Sequence, residues 1–259
     1  MTTPISKCTI FGERCSGTNY LEEVISQNFH VNCVNEYGNK HFFCFNDYQN
    51  KATHDTLFIG IIRNPIYWLN SFSKELYHVS DVNKRSLKNF LFNNFYSVHD
   101  APIISKSNQL QSILLNVNKQ LTTTSHAVNR KDLNYKTGRK YANIFELRKL
   151  KNDYLMNILP HKVPNYILIN YENLLYNFDT TLDKIKTQFN LTAKNETFIN
   201  VTKYKKSDTH TFIKQRQITF SPKTVDLIWN NLDIVQENQL GYFNFNLLNN
   251  AASHECLEG

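Results

Sequence analysis

Residues 10–25 read IFGERCSGTNYLEEVI, and this stretch decides the fold. An apolar run, Lys7–Phe11, enters it and has the length and content of a short buried strand. A turn bounded by Gly12 and Gly17 follows. A helical pattern then begins, with Leu21, Val24, Ile25 and Phe29 on one face. A strand, a tight glycine turn and a helix bring several backbone N–H groups to one point, and the helix end adds partial positive charge, so the unit forms an anion site. The spacing matches the phosphate-cradling pattern G-x-x-x-x-G-K-[ST]. Here, however, Thr18 and Asn19 stand where that pattern has its lysine and its Ser/Thr. In that pattern the lysine serves the β- and γ-phosphates and the hydroxyl holds Mg²⁺. The loop therefore suits a ligand with a single 5′-phosphate group better than a triphosphate. Ser16, Thr18 and Asn19 add side-chain donors, and Arg14 adds a full charge.

Further on, Thr56–Ile62 (TLFIGII) is continuously apolar and β-branched, as a strand covered on both faces should be. Asn64 then caps a helix that has Pro65 in its first position and a Leu69, Phe72, Leu76 stripe. Tyr166–Asn170 (YILIN) gives a third strand, and a helix follows around residues 179–189. Strands alternating with helices predict an α/β fold, a central parallel β-sheet flanked by helices. The 259 residues are expected to form one domain, with a helical and loop insertion at about 80–160. Within it, residues 86–120 and 143–158 carry helical spacing, and residues 121–142 are polar and loop-like. A last helix is expected over about 222–240, stopped by Gly241.

The net charge of +7 suits an anionic ligand or partner. The five cysteines are odd in number and contain no C-x-x-C pair, and the nine histidines are scattered. Reduced thiols are therefore expected, with no disulfide framework and no metal site. The start of the chain has no apolar run of signal-peptide length, and no segment approaches the ~20 apolar residues of a membrane span. A soluble, cytoplasmic protein is expected.

Residues 61–73 (IIRNPIYWLNSFS) place Arg63 at the C-terminal end of a buried strand, where open α/β sheets bind ligands. Ser71 lies two helical turns on. An arginine and a serine so placed can grip one phosphate from two sides.

The two stretches together resemble the sulfotransferase family. The first is similar to its 5′-phosphosulfate loop, roughly [KR]-S-G-T-[TN]. The second is similar to its 3′-phosphate motif, R-N-P with a serine eight residues after the arginine, and Tyr171-Glu172-Asn173-Leu174 resembles the family's Y-E-D-L segment. The resemblance implies a P-loop-like architecture and a donor, 3′-phosphoadenosine 5′-phosphosulfate (PAPS, leaving PAP), whose sulfonate passes to a hydroxyl acceptor by in-line displacement, without a metal. Carried over, Ser16, Gly17, Thr18 and Asn19 would hold the 5′-phosphosulfate, and Arg63 and Ser71 the 3′-phosphate. Many members place a lysine directly before S-G-T; Cys15 stands there and Arg14 precedes it. Either Arg14 reaches around or another cation takes over. The family draws its base from the region equivalent to residues 36–45 (EYGNKHFFCF), which makes His41 the first candidate base and Glu36 the second, with Lys40 stabilising the sulfonate. A histidine with an ordinary pKa near ~6.5 suits that work. The basic stretch 203–216 resembles the family's nucleotide-closing loop and offers Lys205, Lys206, Lys214 and Arg216. Arg139, Lys140, Arg148 and Lys151 are candidates for lining the cleft of the acceptor, a small molecule or a glycan. Two other classes compete. A P-loop small-molecule kinase would share the loop and sheet, but it lacks the lysine at position 18 and a clear metal-holding aspartate after a strand. A basic nucleic-acid-binding protein is disfavoured because no binding motif accompanies the charge and many aromatics fall on apolar faces.

Overall fold

The structure is a computed structural model, and it describes residues 3–45, 48, 52–102, 119–121, 127–202 and 217–244. β1 (Lys7–Phe11) leads through the loop to α1 (Thr18–Asn28), then to the short β2 (Asn32–Cys33). β3 (Thr56–Ile62) leads to α2 (Pro65–Phe72), and β7 (Tyr166–Asn170) closes the sheet later in the chain. The four strands run parallel in the order β2-β1-β3-β7. All seven residues of β3 are buried, which follows from its interior position in a sheet covered on both faces.

Side-chain alternation assigns the two faces. Cys8 and Ile10 of β1, Leu57, Ile59 and Ile61 of β3, and Ile167 and Ile169 of β7 pack with Leu21, Val24 and Ile25 of α1. Phe11, Phe58 and Ile62 point the other way and pack with Ile66, Trp68, Leu69 and Phe72 of α2. Helices α1 and α2 therefore leave neighbouring strands toward opposite faces. Between β1 and β3 the sheet has its switch point, and the C-terminal ends of strands at such a point are where open α/β sheets bind ligands.

The insertion differs from the helical expectation. It begins with two short helices, α3 (Asp81–Lys84) and α4 (Leu87–Phe92). A three-stranded antiparallel sheet follows, β4 (Ser97–Pro102), β5 (Lys119–Leu121) and β6 (Ala127–Asp132), in the order β4-β6-β5. Where helical spacing is expected over residues 86–120, Ser97–Pro102 and Lys119–Leu121 are strands, and residues 103–118 lie outside the described residues. Part of the polar stretch 121–142 is β6. α5 (Ile144–Asp153), capped by the Asn143 side chain, matches the expected helix and continues as a π-helical turn over Tyr154–Ile158. After β7 come α6 (Tyr171–Tyr176) and α7 (Phe178–Phe189). The C-terminal region expected as one helix is two, α8 (Pro222–Trp229) and α9 (Ile234–Gln239). The side chain of Asp233 accepts from Gln236 N and starts the second helix anew. Gly241 takes φ +82°, the stop expected for it. Among the described residues, no helix is long and apolar enough to cross a membrane.

Candidate functional site

The site forms at the switch point, where the loop after β1 meets the turn after β3. Gly12 is glycine because a Cβ there would lie 2.6 Å from the Ile61 carbonyl oxygen. Its N–H donates to the Lys40 carbonyl at 3.0 Å. Gly17 caps α1 at φ +97°, and a Cβ would lie 2.3 Å from the Tyr171 ring. Cys15 also adopts φ +64°, a strained conformation for a non-glycine residue. No side chain caps α1 and its first turn carries no acidic residue, whereas Asn64, Asn143 and Ser221 cap α2, α5 and α8. The first N–H groups of α1 thus have no side-chain cap, as is also the case at the starts of α3, α6 and α7, and they are available to an anion. Ser16 in the loop and Thr18 at the start of α1 are buried, and Asn19 follows on the first turn.

Arg63 follows β3 at this switch point and is buried there. Its Nη1 donates to the Cys15 carbonyl at 3.0 Å and to Ser71 Oγ at 3.1 Å, so the arginine, the serine two turns along α2 and the loop meet at one place. The guanidinium lies 4.7 Å over the Tyr171 ring, a stacked cation. Arg63 Nε is buried and has no hydrogen-bond partner among the described residues. The Y-E-x-L segment has a physical role here. Besides the stacking of Tyr171, Glu172 accepts from Asn64 N at 3.0 Å and from the Tyr242 hydroxyl at 2.9 Å, pinning the R-N-P turn.

The segment carrying Lys40 and His41 is stitched to the loop. His41 Nδ1 donates to the Gly12 carbonyl at 2.8 Å, which leaves Nε2 as the acceptor. Burial first, and the Arg14 charge second, push the His41 pKa down to about 3, well below the ordinary value expected from sequence. Lys40 Nζ donates to Asn19 Oδ1 at 2.5 Å and pairs with Glu22 at 3.2 Å, placing a half-exposed cation beside the first turn of α1. Glu36 is elsewhere: it pairs at 3.0 Å with Lys7, the first residue of β1, at the opposite end of the sheet from the loop.

Arg14 turns inward instead of around the loop. Its Nη1 donates to Ser97 Oγ at 2.7 Å, its guanidinium lies 5.2 Å over Phe42, and Trp68 Nε1 holds its carbonyl at 2.8 Å. Cys15 remains a thiol, because burial pushes it up to about 12.

Arg148 and Lys151 share one face of α5, but that face is buried and lines no open cleft. Arg148 forms a two-point pair with Glu237 and donates to the Arg63 carbonyl at 3.0 Å. Lys151 contacts Glu13, Asp132 at 2.5 Å and the His41 carbonyl at 2.7 Å. Burial raises Asp132 to about 6 against the pull of Lys151. Glu13 is held below the usual carboxylate value: burial acts to raise it, and Lys151 with Arg14 overcomes that. A cavity of about 10 Å³, room for one water, lies under the loop between Glu13, Ser16, Trp68, Arg148, Lys151 and Asn152. Arg139 and Lys140 are exposed, with Lys140 over the Tyr96 ring at 4.5 Å. Lys205, Lys206, Lys214 and Arg216 lie outside the described residues. Sequence reasoning missed Glu237, Trp68 and Glu13, which carried no motif.

No family model matches the chain, and no curated protein matches it. Among solved structures it is similar to the crystal structure of mouse sulfotransferase SULT7A1 complexed with PAP, at 12% identity and a TM-score of 0.38, over 92% of this chain and 88% of that one. A likeness of that size leaves function to be argued from the site itself.

Proposed function

We propose that the chain is a sulfotransferase that binds 3′-phosphoadenosine 5′-phosphosulfate and passes its sulfonate to a hydroxyl acceptor, a small molecule or a glycan. The observation that carries this reading is the meeting of Arg63 with Ser71 and the Cys15 carbonyl. A cation and a hydroxyl stand paired at a second anion position, beside an uncapped helix end that forms the first. Two anion positions on either side of a switch point suit a nucleotide phosphorylated at both 3′ and 5′ positions.

The residues fit such a ligand. Arg63 Nε is an orphaned buried donor that a phosphate oxygen would satisfy. Ser16 and the N–H groups of Gly17, Thr18 and Asn19 would hold the 5′-phosphosulfate, and Arg63 with Ser71 the 3′-phosphate. When bound, the donor supplies an activated sulfonate. With Arg14 engaged by Ser97, Lys40 is the cation that neutralises charge on the 5′ side, in place of the lysine absent at position 15. His41 is neutral at pH 7 with Nε2 free to accept the acceptor's hydroxyl proton. The negative charge of the donor raises its pKa from the ligand-free value and strengthens it as a base. Glu36, at the far end of β1, has no part in the step.

The test is conversion of the donor to adenosine 3′,5′-bisphosphate with a panel of alcohol, phenol and sugar acceptors. The reading expects acceptor-dependent release that is lost in Arg63→Ala and reduced at least 10²-fold in His41→Asn. Stabilisation by ATP with Mg²⁺ and none by the bisphosphate would replace it with the kinase reading.

A further inference from the structure

We propose that α5 is a spacer that sets the two phosphate-holding turns at a fixed separation, with Arg148 and Lys151 as positioning residues that determine selectivity for a doubly phosphorylated nucleotide. The proposal rests on the nucleotide reading above.

The two residues lie three apart, one helical turn, on the buried face of α5, and are 4% and 1% exposed. Each reaches a different turn. Arg148 Nη2 donates to the Arg63 carbonyl at 3.0 Å, so it holds the backbone from which the 3′-phosphate arginine projects. Glu237 of α9 grips the same guanidinium through Nε at 2.5 Å and Nη2 at 2.8 Å. Lys151 holds the loop after β1 by its contact with Glu13, whose other oxygen accepts the Arg14 N–H at 2.8 Å. It also bonds the carbonyl of His41 at 2.7 Å. One rigid helix thus ties down the backbone of the 5′ loop, the backbone beneath Arg63 and the candidate base.

Buried ion pairs are weak stabilisers, and apolar pairs of the same volume often serve stability as well. What a planar fork bonded to both a carboxylate and a backbone carbonyl adds is geometry. Arg148 Nε and Nη2 are engaged by Glu237 and by the Arg63 carbonyl, and the side chain is 4% exposed, so its part is to hold the turn rather than to touch the ligand. A loosened clamp harms a ligand held at two points and spares one held at a single point.

The test is calorimetric titration of the full chain with adenosine 3′,5′-bisphosphate and with 5′-AMP, which engages the loop alone. The variant is Arg148→Met with Glu237→Gln, which leaves no unpaired buried charge; Arg148→Lys, which keeps the charge but not the fork, reads the same ratio should the double variant fold poorly. The wild type prefers the bisphosphate. In the variants the bisphosphate Kd rises at least tenfold while that of 5′-AMP stays within about threefold. Equal shifts for both ligands, or no shift, would overturn the positioning role and leave Arg148 structural. A wild type without preference for the bisphosphate would instead sink the nucleotide reading, and this inference with it.

Discussion

Replacing His41 by Asn keeps the hydrogen bond to the Gly12 carbonyl, because the amide N–H₂ can donate where Nδ1 does now. It removes the titratable imidazole from the contact. The folded His41 pKa is depressed from 6.5 to about 3, by burial first and by the Arg14 charge second. The unfolded chain therefore binds a proton between those values and the folded chain does not. Stability contributed by the neutral imidazole is full above pH 6.5 and is lost as pH falls toward 3. From pH 6.5 to 4.5, two pH units at 1.36 kcal/mol each give about 2.7 kcal/mol, and the partial exposure of the ring leaves roughly 2 kcal/mol. Asp132 acts in the opposite sense: its carboxyl is raised to about 6, so its contribution is present at low pH and is lost as pH rises from 4 to 6. Wild type and variant share that contribution, so it cancels in their difference. Urea unfolding of both proteins at pH 7.0 and 4.5 should show the wild type losing roughly 2 kcal/mol relative to His41→Asn on acidification. A difference that stays constant between the two pH values would show that His41 is not held neutral, and its assignment as the base would lose its electrostatic ground.

Other substitutions separate scaffold from site. Gly17→Ala meets both a left-handed backbone and the Tyr171 ring, and urea unfolding should show a loss of about 2–4 kcal/mol. Ser71→Ala removes one hydroxyl on Arg63; unfolding stability should change by less than about 1 kcal/mol while bisphosphate affinity falls roughly tenfold by calorimetry. Glu172→Gln surrenders a charged acceptor of Asn64 N and the Tyr242 hydroxyl and should lower stability by about 1–2 kcal/mol, read as a reduced urea midpoint. Cys15, pushed up to about 12 by burial, should resist iodoacetamide at pH 7.5. Cys33 is lowered by hydrogen bonds from Cys8 and Ser26 and should alkylate before it, as peptide mass spectrometry would show.

The parts of the fold legible in the sequence are those written in local periodicity. The strands KCTIF, TLFIGII and YILIN are short apolar runs bounded by turn residues, and each forms where its pattern places it. The turn at Asn64-Pro65 declares itself through capping chemistry. β4 and β6 were not legible, because neither SVHDAP nor AVNRKD alternates cleanly and their pairing is a non-local choice. The break at Asp233 was hidden inside a stretch of helical spacing. In the site, the Arg63–Ser71 spacing followed from helix geometry, since eight residues are close to two turns. The roles of Arg148 and Lys151 did not follow, because a 3.6-residue period says which residues share a face and not whether that face meets water. Glu237, 89 residues from Arg148, carries no local signal that it completes the clamp.

Calorimetric titration of adenosine 3′,5′-bisphosphate into wild type and Arg63→Ala decides whether the proposed site reads two phosphates at once. The wild type should bind the bisphosphate at least tenfold more tightly than 5′-AMP, and Arg63→Ala should bind the two nucleotides alike. Equal binding of both nucleotides to the wild type, or an undiminished preference in Arg63→Ala, would contradict it.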